Sequence, residues 1–151
     1  EMMKKADYSE VFASQPYPVL VVDDSETIRE MVSKNLRIAK LSPFLTSNGQ
    51  EAWYTLCRWL YQAQKEERDI CELVRIVIAD IEMPMLDGFT LTKRIKEDPV
   101  LGKLPVVLYS SIITPALRHK GEYVGADDQV SKPELHMMAK RALDLIEGTG
   151  G

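Results

Sequence analysis

The chain has 151 residues, of which 19 are lysine or arginine and 23 aspartate or glutamate, a formal charge of −4. That length suits one domain with one core, and the charge excludes sequence-independent nucleic-acid binding, which needs clustered cations. With 45% hydrophobic and 28% charged residues the composition is that of an ordinary globular domain. The densest basic run, Lys93-Arg94-Ile95-Lys96, is short and followed by Glu97 and Asp98, so it reads as a solvated helix face. The apolar runs at residues 19–22 and 76–79 end at aspartate, far short of the ~20 residues a membrane helix needs. No apolar h-region follows Lys4-Lys5, so no signal peptide is expected and the cytoplasm is the expected compartment. Cys57 and Cys71 stand alone, without a CxxC or a histidine at ligand spacing, and are expected to be idle thiols.

In chain order, residues 1–16 read as a linker or tail from an upstream region. Residues 18–22, 74–79 and 105–109 are short β-branched runs apolar at nearly every position, the mark of strands buried on both faces. Between them, Ile28, Met31, Val32, Leu36 and Ala39 fall on one helical face, with Ser25 as the expected N-cap. Ala52, Leu56, Leu60 and Ala63 repeat that pattern, as do Leu135, Met138, Ala139, Ala142, Leu143 and Ile146. Residues 43–46 form a weaker strand two, 89–97 helix three, 115–123 helix four and 129–130 strand five. Five β-α repeats with right-handed crossovers predict a doubly wound, parallel α/β sheet whose ligand site lies beyond the carboxyl ends of its strands.

Strand one ends in Asp23-Asp24 and strand three in Asp80. Three carboxylates stand on this rim where a nucleotide-binding domain places glycine or hydroxyl residues, and with no GxGxxG or GxxxxGK[ST] present a nucleotide cradle has no sequence support. Crowded carboxylates stay ionised together most readily around a hard dication, and Mg2+ suits one or two carboxylates plus waters and phosphate oxygens. Asp24 is the expected direct ligand and Asp23 a water-mediated one, with the Glu82 carbonyl as a further donor. One aspartate is then left free as a nucleophile. Ser110 follows strand four and Lys132 strand five. A hydroxyl and an ammonium there can meet the oxygens of a transferred phosphoryl group.

The runs Val21-Val22-Asp23-Asp24-Ser25, Asp80-Ile81-Glu82-Met83-Pro84-Met85-Leu86-Asp87-Gly88, Ser110-Ser111 and Lys132-Pro133 resemble the receiver (CheY-like) domain of two-component response regulators. The resemblance covers residues 17–147, leaving 148–151 as a C-terminal tail. It implies a flavodoxin-like sheet of order 2-1-3-4-5, Asp80 as phosphoacceptor, Asp23 and Asp24 as the magnesium pair and Ser110 and Lys132 as switch residues. It also implies a cis bond at Lys132-Pro133. The partner would be a sensor histidine kinase, and the readout the surface of helix four, strand five and helix five. The double serine, the run through Leu91-Thr92 and the long segment from Trp53 to Leu73 are similar to the receiver of CheV-type chemotaxis coupling proteins. Those place a CheW-like domain upstream, with a CheA-type kinase and a receptor array as partners.

Two positions depart from the pattern. Gln129 stands where an aromatic residue is usual and Glu134 where phenylalanine is common, so a switch through an aromatic ring is not expected. Glu82 and Ile112 would flank an attacking water and slow self-dephosphorylation. The chain is expected to catalyse only its own modification. A haloacid-dehalogenase-like phosphatase needs a second aspartate two residues after its nucleophile on strand one, and that position from Asp23 is Ser25. A pseudo-receiver acting purely as an interaction module is the alternative. His119, His136, Met137 and Met138 read as surface or packing residues. Trp53 and Trp59, six apart, cannot share one helix face, so at least one is expected at the surface or in an interface.

Overall fold

A computed structural model describes residues 17–150 of the chain. The strands are β1 (Tyr17–Val22), β2 (Leu41–Thr46), β3 (Ile76–Asp80), β4 (Val106–Ser110) and β5 (Asp128–Ser131). They alternate with helices α1 (Glu26–Ile38), α2 (Gly49–Lys65), α3 (Gly88–Glu97), α4 (Pro115–Val124) and α5 (Met138–Gly150). The five strands are all parallel, in the order β2-β1-β3-β4-β5, so the expected doubly wound sheet of order 2-1-3-4-5 is the one found. The linker expected over residues 1–16 lies outside the described residues, and α5 runs past Glu147 to Gly150.

Alternation along the central strands divides the core in two. Leu20, Val22, Val77, Ala79, Val106 and Leu108 face α2, α3 and α4. Val19, Val21, Ile76, Ile78, Val107, Tyr109 and Val130 face α1 and α5. β1, β3 and β4 are covered on both sides, as their unbroken apolar runs demanded. β2 at the edge is buried at its ends and half-exposed between them, with Pro43 interrupting its free border.

Local chemistry sets the helix ends. Ser25 accepts the Ile28 N–H as the N-cap of α1, and Asn48, Asp87 and Thr114 cap α2, α3 and α4 in the same way. Lys40 adopts the left-handed conformation at φ 65° directly after α1, which turns the chain at once into β2. Strand two therefore starts at Leu41 rather than at Pro43. Two packing expectations are corrected. Met31 is 53% exposed, because the buried stripe of α1 is Val32, Ser33 and Leu36. Trp53 and Trp59 are both half-buried against the core, flanking the buried Ala52–Leu56 line from either side, so neither is fully exposed.

The cis bond expected at Lys132-Pro133 is also corrected: no peptide bond is cis among the described residues. Residues 132–137 instead form a short 3-10 turn leading into α5, with Pro133 in its first positions, where a fixed φ suits the turn. Both cysteines are free, Cys57 exposed and Cys71 half-buried. Among the described residues no helix is long and apolar enough to cross a membrane.

Candidate functional site

The carboxyl ends of β1 and β3 are adjacent because those strands pair in register, Val22 opposite Ala79. Carboxylate oxygens of Asp23, Asp24 and Asp80 consequently lie within 4.8 Å of one another. Asp80 is the last residue of β3 and only 1% exposed; Asp23 is fully buried and Asp24 reaches the solvent. Each buried carboxylate is oriented by donors. Asp23 Oδ1 accepts the Ser25 N–H at 2.7 Å and Oδ2 accepts the Tyr109 hydroxyl at 2.7 Å. Asp80 Oδ1 accepts the Glu82 N–H at 3.1 Å, and Oδ2 faces Lys132 Nζ at 3.4 Å.

This crowding has an electrostatic cost. Burial, with the Asp23 charge second, raises the Asp80 carboxyl to a pKa of about 6, against the pull of the Glu82 N–H and of Lys132. Burial and Asp23 also push the Tyr109 phenol far above its usual range, so it remains a hydrogen-bond donor. One lysine at 3.4 Å does not balance three carboxylates. An oxygen-liganded dication suits such a donor set, and Asp23, with both oxygens engaged, suits an indirect role beside the exposed Asp24.

Gly88 closes the site from below. A Cβ there would collide with the Asp80 carbonyl oxygen, so the first turn of α3 can lie against the end of β3 only with glycine. The intervening loop is fixed by the Gly88 N–H donating to the Ile81 carbonyl at 3.0 Å and by the Ile81 N–H donating to the Tyr109 carbonyl at 2.9 Å.

Of the residues singled out in the sequence, Asp23, Asp24, Asp80 and Lys132 converge here. Ser110, the buried last residue of β4, stands on the same rim, but its hydroxyl donates to Glu82 Oε1 at 3.0 Å rather than to Asp80. Glu82 therefore meets Asp80 through its backbone N–H and Ser110 through its carboxylate. Ile112 is 69% exposed and His119 and His136 are exposed as well. Gln129, 5% exposed, lies against Gly121 of α4 and donates from Nε2 to the Arg118 carbonyl at 2.8 Å, while its buried Oε1 has no hydrogen-bond partner among the described residues. That amide, directed inward, occupies the side of β5 where no aromatic ring was expected.

Two participants were missed. Tyr109 reads as one more apolar strand residue, yet alternation turns it to the α1–α5 face, where its hydroxyl meets Asp23. Arg29 reads as the polar face of a helix, yet its Nη1 donates to the Asp23 carbonyl at 2.6 Å. A phenol among aliphatic neighbours one residue before Ser110 was the available signal for the first. Nothing local marked the second.

Comparison with known proteins agrees with this geometry. The chain is 34% identical over 120 residues to the two-component response regulator ORR3 of rice, covering 79% of this chain and 82% of that protein. It is 31% identical over 128 residues to chemotaxis protein CheV2 of Helicobacter pylori, covering 83% of this chain and 38% of that one. A high-resolution structure of the chemotaxis response regulator CheY4 of Vibrio cholerae superposes with a TM-score of 0.66 at 28% identity, over 87% of this chain and 99% of that one. Several relatives are much longer, and the chain spans 16% of the gliding motility regulatory protein of Myxococcus xanthus. The model of the response regulator receiver domain matches residues 19–142, and the chain belongs to that family.

Proposed function

We propose that Asp80 accepts a phosphoryl group from a phosphohistidine of a partner histidine kinase, with Mg2+ held by Asp24, by Asp23 through water, by Asp80 and by the Glu82 carbonyl. The observation that carries this reading is the cluster of three carboxylates within 4.8 Å at the ends of two paired strands, two of them buried. A bound magnesium ion would offset the negative charge of carboxylates and phosphoryl oxygens as they approach.

An Asp80 carboxylate oxygen forms the new bond to phosphorus as the phosphorus–nitrogen bond breaks, and the imidazole leaves with its electron pair, taking a proton from solvent. Asp23, anchored by Ser25 and Tyr109, holds its position through this exchange. Lys132 follows one phosphoryl oxygen, and Ser110 leaves Glu82 to donate to another. Hydrolysis of the acyl phosphate returns the carboxylate and inorganic phosphate. Addition of ~1.5–2 negative charges gives Ser110 and Lys132 a new partner, and their displacement biases the packing of α4, β5 and α5, the readout face.

The similarities to CheV2 and CheY4 support chemotaxis as the setting and a CheA-type kinase as the donor, in the cytoplasm. On this reading residues 17–147 are the receiver and residues 1–16 the link to an upstream CheW-like domain.

Acetyl phosphate with magnesium is expected to add one phosphoryl mass to the wild type and none to Asp80→Asn. Modification that persists in the variant overturns the assignment of Asp80. A wild type that takes up neither phosphoryl nor beryllofluoride is a pure interaction module.

A further inference from the structure

Glu82 stands two residues past Asp80 in a loop whose backbone is pinned on both sides. Ile81 and Met83, its neighbours, are buried, so the Glu82 side chain projects outward at the mouth of the acidic cluster. It is nevertheless engaged, since the buried Ser110 hydroxyl donates to Oε1 at 3.0 Å. Among the described residues Glu82 has no cationic partner, and Lys132 is directed to Asp80 instead. A serine hydroxyl carries one proton, so while Glu82 accepts it no group on Asp80 can. A carboxylate is also a stronger acceptor than a neutral oxygen, which makes this hydrogen bond costly to exchange.

We propose that Glu82 is a latch: its carboxylate holds the Ser110 hydroxyl away from Asp80 and thereby lowers the affinity of the site for a tetrahedral phosphoryl-like group. Glu82 acts through Ser110 and is a positioning residue, not one that touches the phosphoryl group. The latch adds to the reading of Asp80 as phosphoacceptor and rests on it. It is separate from any effect of Glu82 on an attacking water, because it operates before the phosphoryl group has arrived.

The test is a double-mutant cycle read by calorimetric titration of beryllofluoride in excess magnesium. Glu82→Ala is expected to bind beryllofluoride about tenfold more tightly than wild type, the scale of one charge-assisted hydrogen bond no longer exchanged. Glu82→Gln, which keeps a neutral acceptor, falls between the two. In a Ser110→Ala background the gain from Glu82→Ala shrinks to under about twofold, because the residue through which it acts is gone. A gain of the same size in both backgrounds shows that Glu82 acts by charge alone and overturns the latch, as does no gain in the wild-type background.

The ion-free protein supplies a second readout. Glu82→Ala is expected to shift the Ser110 NMR resonances while leaving those of Val106, at the other end of β4, unmoved, and unmoved Ser110 resonances overturn the latch. A wild type that does not bind beryllofluoride overturns the phosphoacceptor reading. The Ser110 resonances then still decide whether Glu82 holds the hydroxyl.

Discussion

Two lysine–aspartate pairs stand at opposite ends of the sheet, and they are built differently. At the amino ends of β4 and β5, Lys96 Nζ meets Asp127 Oδ2 and the Leu104 carbonyl, each at 2.8 Å, while the same Asp127 oxygen accepts the Val106 N–H at 2.8 Å. At the carboxyl ends, Lys132 reaches Asp80 only at 3.4 Å, and two further carboxylates crowd the same space. The first pair is matched donor for acceptor and ties α3 to the start of two strands. The second leaves negative charge uncompensated in a buried place, a local sacrifice of stability of the kind found at functional sites and in keeping with the cation and phosphoryl group proposed for it.

That contrast can be broken or sharpened by substitution. The largest effect is expected from Gly88→Ala, whose Cβ collides with backbone rather than with a movable side chain. A loss of about 3 kcal/mol in urea unfolding is expected, together with weakened magnesium binding as the end of β3 shifts. Asp80→Asn has the opposite sign. Removing a charge that burial and Asp23 disfavour should stabilise the ion-free protein at pH 7 by roughly 2–3 kcal/mol, while abolishing the rise in melting temperature on adding magnesium.

The same shift sets a pH dependence. An unfolded aspartate titrates near ~3.9 and folded Asp80 at about 6, so between those values the folded state keeps a proton that the unfolded state has lost. The stability this confers is complete below about pH 4 and lost as pH rises through about 6. Wild type minus Asp80→Asn, compared at pH 4 and pH 7 without magnesium, isolates it, and a flat difference contradicts the burial of this charge.

At the other end, Asp127→Ala leaves the Val106 N–H and Lys96 without their shared acceptor, and a loss of about 2 kcal/mol with no change in magnesium affinity is expected. Lys132→Met should be the smallest, within about 1 kcal/mol of wild type, because its 3.4 Å pairing contributes little and the ammonium is partly exposed. Should Lys132→Met cost more than Asp127→Ala, the contrast between the two ends is inverted.

Much of this was legible in the chain. Asp23, Asp24, Asp80, Ser110 and Lys132 could be found because each stands at the end of a strand, and in a doubly wound sheet those ends share one rim. Val32 and Leu36 on α1, and Met138, Ala142 and Ile146 on α5, followed from a 3.6-residue period. Met31 was misplaced because a helical stripe read by spacing is wider than the strip that touches the sheet. Trp53 and Trp59 were misjudged because a helix lying on a sheet can half-bury residues on both flanks. The cis isomer at Lys132-Pro133 was implied by the family resemblance alone, and nothing in the local residues required it.

Sequence by itself determined the strand-ending acids, the alternation of buried strands with amphipathic helices and the absence of a phosphate-cradling glycine loop, since each is a property of neighbours in the chain. Only the tertiary structure decided that Tyr109 and Arg29 secure Asp23, that Gln129 turns inward against α4, and that the Ser110 hydroxyl is given to Glu82. Those contacts join residues 6 to 86 positions apart. Strand register and loop path bring such groups within hydrogen-bond distance, and neither is written in any local pattern.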